Sequence, residues 1–154
     1  MPSTSSRALL AALCLCALAP PAFAATPTSA TQEPTAPATA AVETAIFAVS
    51  DADPQKWNLT LGNIANALDG FGKGRVDIEL VVYGPGIAML RKDSAVADKL
   101  AAAIAGGVRI VACQNSMRGA RLEPADLAPG VGVVPSGVVE LIRRQHEGYA
   151  YVRS

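Results

Sequence analysis

One thiol dominates the chemistry open to this chain. Three cysteines occur in its 154 residues. Cys14 and Cys16 fall in an N-terminal stretch expected to be removed, which leaves Cys113. It stands between an apolar run, Val108 to Ala112, and a polar segment, Gln114 to Ala120, able to start a helix. That pattern predicts a thiol where a core strand ends and a helix begins. Amide N–H groups at a helix start stabilise a thiolate and lower the thiol pKa. Gln114, Asn115 and Ser116 could add donors, and Arg118 a positive charge. The same position suits a buried cysteine packing as a small hydrophobe, and position alone weighs the two readings equally. With no second cysteine for a C-x-x-C couple, a redox or transfer cycle on Cys113 needs a partner thiol or a small sulfur species.

The other reactive residue types point to ordinary roles. His146, the single histidine, falls near a predicted helix C-terminus, where a solvated cation interacting with the dipole is the ordinary explanation. One histidine and one cysteine far apart in sequence make no zinc site, and no metal is expected. Asp51 and Asp53 read as turn and cap residues rather than a carboxylate pair. The glycines match neither a dinucleotide fingerprint nor a P-loop, so no cofactor is expected. Gly84-Pro85-Gly86 is too short to cradle a pyrophosphate and is expected to fix a tight loop beside the cysteine. Asn63 and Asn66, mediocre helix formers, suit a solvent-exposed face or contacts to a loop or another subunit equally well.

The elements that must position Cys113 follow from periodicity. Residues 1–24 read as a signal peptide: Arg7, then an uncharged apolar run from Ala8 to Leu18, then Ala22-Phe23-Ala24 as a cleavage site, with the cut expected after Ala24. The run is too short to span a bilayer, and a lipid anchor on Cys14 or Cys16 would need a small residue where Leu13 and Leu15 stand. The mature form is therefore expected in the periplasm, without a membrane anchor. Residues 25–43, rich in Ala, Thr and Pro, read as a flexible tether, and 44–154 as the domain. With Arg7 removed, 12 basic side chains face 13 acidic ones, which gives no electrostatic footprint for nucleic acid.

Within the domain, Ile46, Phe47 and Val49 begin a first strand. Asp53 and Pro54 start a helix whose face is Trp57, Leu61, Ile64, Ala65 and Leu68, and Gly70 is expected to close it. Arg75 to Tyr83 reads as a second strand, Ile87 to Leu90 as a helical turn, and Ser94 to Ala105 as a second main helix. Val108 to Cys113 is a third strand. A helical turn near Asp126-Leu127 and a short strand at Val131 to Val134 follow. Ser136 is expected to cap a helix burying Val138, Leu141 and Ile142, and Tyr149 to Val152 to make a fifth strand. Strands alternating with helices imply a parallel sheet with helices on both faces. Ligands and reactive groups of such sheets gather beyond the carboxyl ends of the strands, where Cys113, Gly84-Pro85-Gly86 and Ser50-Asp51 all fall.

Four segments, in order along the chain, resemble the DsrE/DsrF-like family: Asn63-Ile64-Ala65-Asn66; Val81-Val82-Tyr83-Gly84-Pro85-Gly86; Ala112-Cys113-Gln114-Asn115-Ser116-Met117-Arg118-Gly119; and Val134-Pro135-Ser136-Gly137-Val138-Val139-Glu140 with Glu147-Gly148-Tyr149-Ala150-Tyr151. The resemblance implies a three-layer α/β/α sandwich with a five-stranded, mainly parallel sheet, and homo-oligomers, often trimers or hexamers. It implies a sulfur-relay chemistry in which Cys113 carries sulfane sulfur as a persulfide received from a small sulfur species or a partner thiol protein. Gln114, Asn115, Ser116, Tyr83, Gly84, Pro85 and Gly86 are then the expected binding residues. The chain departs from the relay members, which are cytoplasmic, in its export signal. The expected function is periplasmic sulfur handling, and the alternative is a non-catalytic oligomeric binding module in which Cys113 merely lines a pocket.

Overall fold

A computed structural model describes residues 42–72 and 74–153; the expected signal peptide and almost all of the tether lie outside them. Five strands make one sheet: β1 (Glu43–Val49), β2 (Val76–Val82), β3 (Arg109–Cys113), β4 (Gly132–Val134) and β5 (Ala150–Arg153), in the order β4-β3-β2-β1-β5. All four pairings are parallel. Parallel strands need crossovers, and helices supply them. Helices α1 (Pro54–Phe71), α2 (Ala97–Ala105) and α3 (Gln114–Ala120) are joined on one face by a 3₁₀ segment, Gly84–Leu90. Their side chains Trp57, Leu61, Ile64, Leu100 and Met117 form the larger core with Ile78, Leu80 and Val82. Helix α4 (Gly137–His146) lies on the opposite face, where Leu141 packs with Ile46, Val81 and Tyr149. These are the three expected layers.

Leu80, Val81 and Val82 are wholly buried, so β2 reads as a continuous apolar run because both its faces are covered. Each such side chain contributes about 1.5–3 kcal/mol by leaving water. Asp53 caps α1 as expected, its carboxylate accepting the Gln55 N–H at 2.8 Å. The helix does not stop at Gly70. It runs to Phe71 and ends on Gly72, whose φ of 91° only glycine adopts freely and whose N–H bonds to the Leu68 carbonyl. Thr60 rather than Ala65 joins its buried face. Helix α2 starts at Ala97 because Ser94 is spent in a preceding turn, its carbonyl accepting the Ala97 N–H.

Helix α4 is rotated from its expected setting. Val138 and Ile142 are 51% and 50% exposed, and the buried side carries Gly137, Glu140 and Leu141. Two contacts fix this rotation. Gly137 packs against Val81, Tyr83 and Cys113, and Arg144, two turns on, pairs with Glu79 of β2.

Candidate functional site

Cys113 ends β3 on the face that α4 covers. Register sets its neighbours: Val82 stands opposite Ala112 and Val49 opposite Val82. One residue further along, Cys113, Tyr83 and Ser50 therefore form a row across the carboxyl ends of β3, β2 and β1. The Tyr83 N–H still bonds to the Val49 carbonyl at 3.0 Å, which holds that row in place.

Cys113 is 5% exposed. Burial is the largest single influence on its thiol and pushes the pKa up, because a thiolate loses solvation in a low dielectric. The Ser116 hydroxyl opposes it most strongly, followed by the backbone N–H groups of Gly137, Ser116 and Asn115, and together they hold the thiol below its ordinary value. The amides of Asn115 and Ser116 belong to the first turn of α3, yet Cys113 closes no capping hydrogen bond with them. They act as oriented dipoles aimed near the sulfur rather than as aligned partners. Ser116 is itself oriented. The Gly84 N–H donates to its Oγ at 2.7 Å, which leaves the hydroxyl proton free to turn towards sulfur.

Gly137 brings the most distant donor. A Cβ there would stand 3.0 Å from the Tyr83 Cβ, 3.2 Å from the Val81 Cγ1 and 3.3 Å from the Cys113 Cβ. A residue without a side chain lets the start of α4 come this close to the thiol without its neighbours giving way. The Gly84-Pro85-Gly86 turn is held as tightly. Gly84 takes a φ of 54°, the Gly86 N–H donates to the Ser50 carbonyl at 2.9 Å, and a Cβ on Gly86 would meet the Val49 carbonyl oxygen at 2.9 Å.

The structure thus gathers Cys113, Ser116, Tyr83 and Gly84, with the Asn115 backbone. Other expected residues lie elsewhere. Gln114 lines a separate cavity of about 340 Å³ with Met117 and Arg118. Arg118 donates to the Asn115 side chain and is not among the groups that shift the thiol. Pro85 is exposed and forms part of a mostly apolar cavity of about 430 Å³ with Ile87, Ala88, Gly119 and Ser116. His146 is exposed at the last position of α4. Among the described residues, no group of three or more His, Cys, Asp or Glu could hold a metal, and no helix is long and apolar enough to cross a membrane.

Two features escape the sequence reading. One is Gly137, whose only signal is a glycine at the first position of a helix. The other is Glu79, wholly buried on β2 beneath α4. Its Oε2 receives Arg144 at 2.7 Å and Arg109 at 3.1 Å, while Oε1 has no hydrogen-bond partner among the described residues. Burial first, and then the neighbouring Glu140 carboxylate, raise the Glu79 pKa against the pull of Arg144 and Arg109. Burial of Oε1 without a partner acts in the same direction, since an uncharged carboxyl loses less by it. Glu140 itself is held low, chiefly by its hydrogen bond from Arg143.

Residues 44–153 match the DsrE/DsrF-like family. Among solved structures, MTH1491, a protein of unknown function from Methanobacterium thermoautotrophicum, is 35% identical over 73% of this chain and 99% of its own, with a TM-score of 0.69. BT1422 of Bacteroides thetaiotaomicron (16% identity, 76% and 99% coverage, TM-score 0.61) and the ychN protein of E. coli (18%, 73% and 98%, TM-score 0.59) share the fold. No curated protein matches the chain. A family match over most of the chain and a one-third-identical structure spanning the same domain agree: the chain belongs to the DsrE/DsrF-like family.

Proposed function

We propose that this protein handles sulfur in the periplasm, accepting sulfane sulfur on Cys113 as a persulfide and passing it on. One observation carries the reading: a nearly buried thiol held below its ordinary pKa by a hydroxyl and three backbone amides. A structural cysteine in an apolar setting has its pKa raised. A lowered thiol pKa favours attack on sulfane sulfur near neutral pH. Cys113 is the one cysteine of the described domain, so no neighbouring thiol displaces a loaded sulfur. Family membership supports the same chemistry. The loading test is intact mass after polysulfide treatment and removal of excess. A reductant-sensitive gain of one or more sulfur atoms is expected, absent in Cys113→Ser. A protein that gains no sulfur while folded overturns the reading.

Export and assembly belong to the same proposal. The chain isolated from its native compartment should begin at Ala25. A homo-oligomer, a trimer or hexamer, is supported by the outer stripe of α4, where Val138, Val139 and Ile142 are at least half exposed. Light scattering at micromolar concentration reads it directly, and a clean monomer would sink this part. The second reading, a small-molecule-binding module, is favoured by the apolar 430 Å³ cavity that shares Ser116 with the thiol. It predicts a Cys113 inert to alkylation in the folded protein.

A further inference from the structure

A polar cleft of about 290 Å³ opens on the α4 face, at the carboxyl ends of β1 and β5. Open parallel sheets hold ligands beyond the carboxyl ends of their strands.

The residues around the cleft are those that recognise an anion. Arg153 pairs in register with Ala48, so both project to this face, and Tyr151 does so two residues earlier. Lys56 reaches in from the first turn of α1 and pairs with Asp51 at 2.9 Å. Arg153 has no ion pair among the described residues. Among the described residues that line the cleft, two cations meet one carboxylate, and Tyr83 and Tyr151 stand with them. Tyr83 is also the cross-strand neighbour of Cys113, and such neighbours stand about 5 Å apart. Both flank Gly137. Tyr83 thus links the two places, lining the cleft and neighbouring the thiol.

We propose that this cleft seats a small dianion bearing sulfane sulfur, thiosulfate or an inorganic polysulfide, as the donor that loads Cys113. The inference rests on the persulfide reading and names its substrate class. A thiolate approaching a dianion meets like-charge repulsion, and Arg153 and Lys56 offset it. In the transfer, the Cys113 thiolate attacks a terminal sulfane sulfur. The Sγ–S bond forms as the S–S bond of the donor breaks, and the electron pair leaves on sulfite, or on a polysulfide dianion one sulfur shorter. Thiolate plus dianion become persulfide anion plus dianion, with no proton taken up and no outside oxidant. The same cations hold the charge on the departing group.

The experiment compares wild type with Arg153→Gln, which keeps the strand pairing of β5. Loading of Cys113 by thiosulfate and by tetrasulfide is followed by intact mass, and alkylation by neutral iodoacetamide serves as the control. Loss of a charge-assisted contact should slow loading by about tenfold, leave alkylation unchanged, and weaken the salt dependence seen in wild type. The two donors tell oxyanion from polysulfide, and loading by either one supports the site. Unchanged loading in Arg153→Gln overturns the inference, and so does an equal fall in loading and alkylation. If wild type loads from neither donor, the persulfide reading fails by itself. The cleft is then judged by thiosulfate titration of Cys113→Ser, where amide shifts at Tyr83, Tyr151 and Arg153 support it and their absence overturns it.

Discussion

Helix α4 rests each end on a buried acid, and the two acids are shifted in opposite directions. At its start Gly137 faces Cys113, whose thiol is held low; towards its end Arg144 and Glu140 face Glu79, whose carboxyl is held high. Burial raises both. The difference lies in what surrounds the charge. Cys113 meets a hydroxyl and three amides and no competing anion. Glu79 meets two arginines on a single oxygen and a second carboxylate beside the other. Donors alone do not settle the sign, since Glu79 has the stronger ones; there burial and the neighbouring Glu140 outweigh them, whereas at Cys113 the donors outweigh burial. One end of α4 is therefore suited to making an anion and the other to sharing a proton.

The comparison can be broken from either end. The largest effect should come from Arg144→Ala, which leaves Glu79 and Glu140 buried together with less compensation. Breaking a buried pair destabilises by about 3–5 kcal/mol, read as a lower urea midpoint. Gly137→Ala comes next. Its Cβ would crowd Tyr83, Val81 and Cys113 at 3.0 to 3.3 Å, and overpacking of this kind costs about 1–3 kcal/mol. Because α4 must shift, the alkylation midpoint of Cys113 should also move, and a destabilised variant with an unmoved midpoint would remove Gly137 from the site.

Ser116→Ala should change stability less and reactivity more. It deletes the strongest thiolate donor and orphans the Gly84 N–H, so alkylation at pH 7 should slow by about tenfold while the fold persists. The smallest effect sharpens the other end. A raised carboxyl pKa favours the folded state at pH values below the unfolded carboxyl pKa, and that benefit is lost as pH rises through the folded value. Glu79→Gln lacks the titration. Its stability deficit relative to wild type should therefore shrink as pH is raised from about 4, and a constant deficit would show that Glu79 does not hold its proton in the folded protein.

Much of this was open to inspection in the chain itself. Alternation and helical spacing located all five strands and three of the four helices, with Gln114 to Ala120 marked only as able to start one, and the Val108 to Ala112 run placed Cys113 at the edge where it stands. What escaped were relations between distant segments. Gly137 comes to lie against a thiol 24 positions earlier, and nothing local to either residue marks the meeting. Glu79, alternating with Val76, Ile78 and Leu80, has the pattern of a wetted strand face. It is buried only because α4 brings Arg144 over it. Val138 and Ile142 had the spacing of a core face, yet α4 turns that face outward because Gly137 and Arg144 pull the opposite one down. Arg118, near Cys113 in sequence, instead bonds to Asn115.

The contact between Gly137 and Cys113 also bears on the order in which the protein is made. A chain emerging from its N-terminus completes β3 and α3, with Ser116, well before α4. Until the last helix docks, the sulfur lacks the Gly137 amide and lies in a sheet still missing β5. The balance that sets the Cys113 thiol is thus tied to completion of the polypeptide: docking of α4 brings the Gly137 amide, which lowers the pKa, together with cover, which raises it.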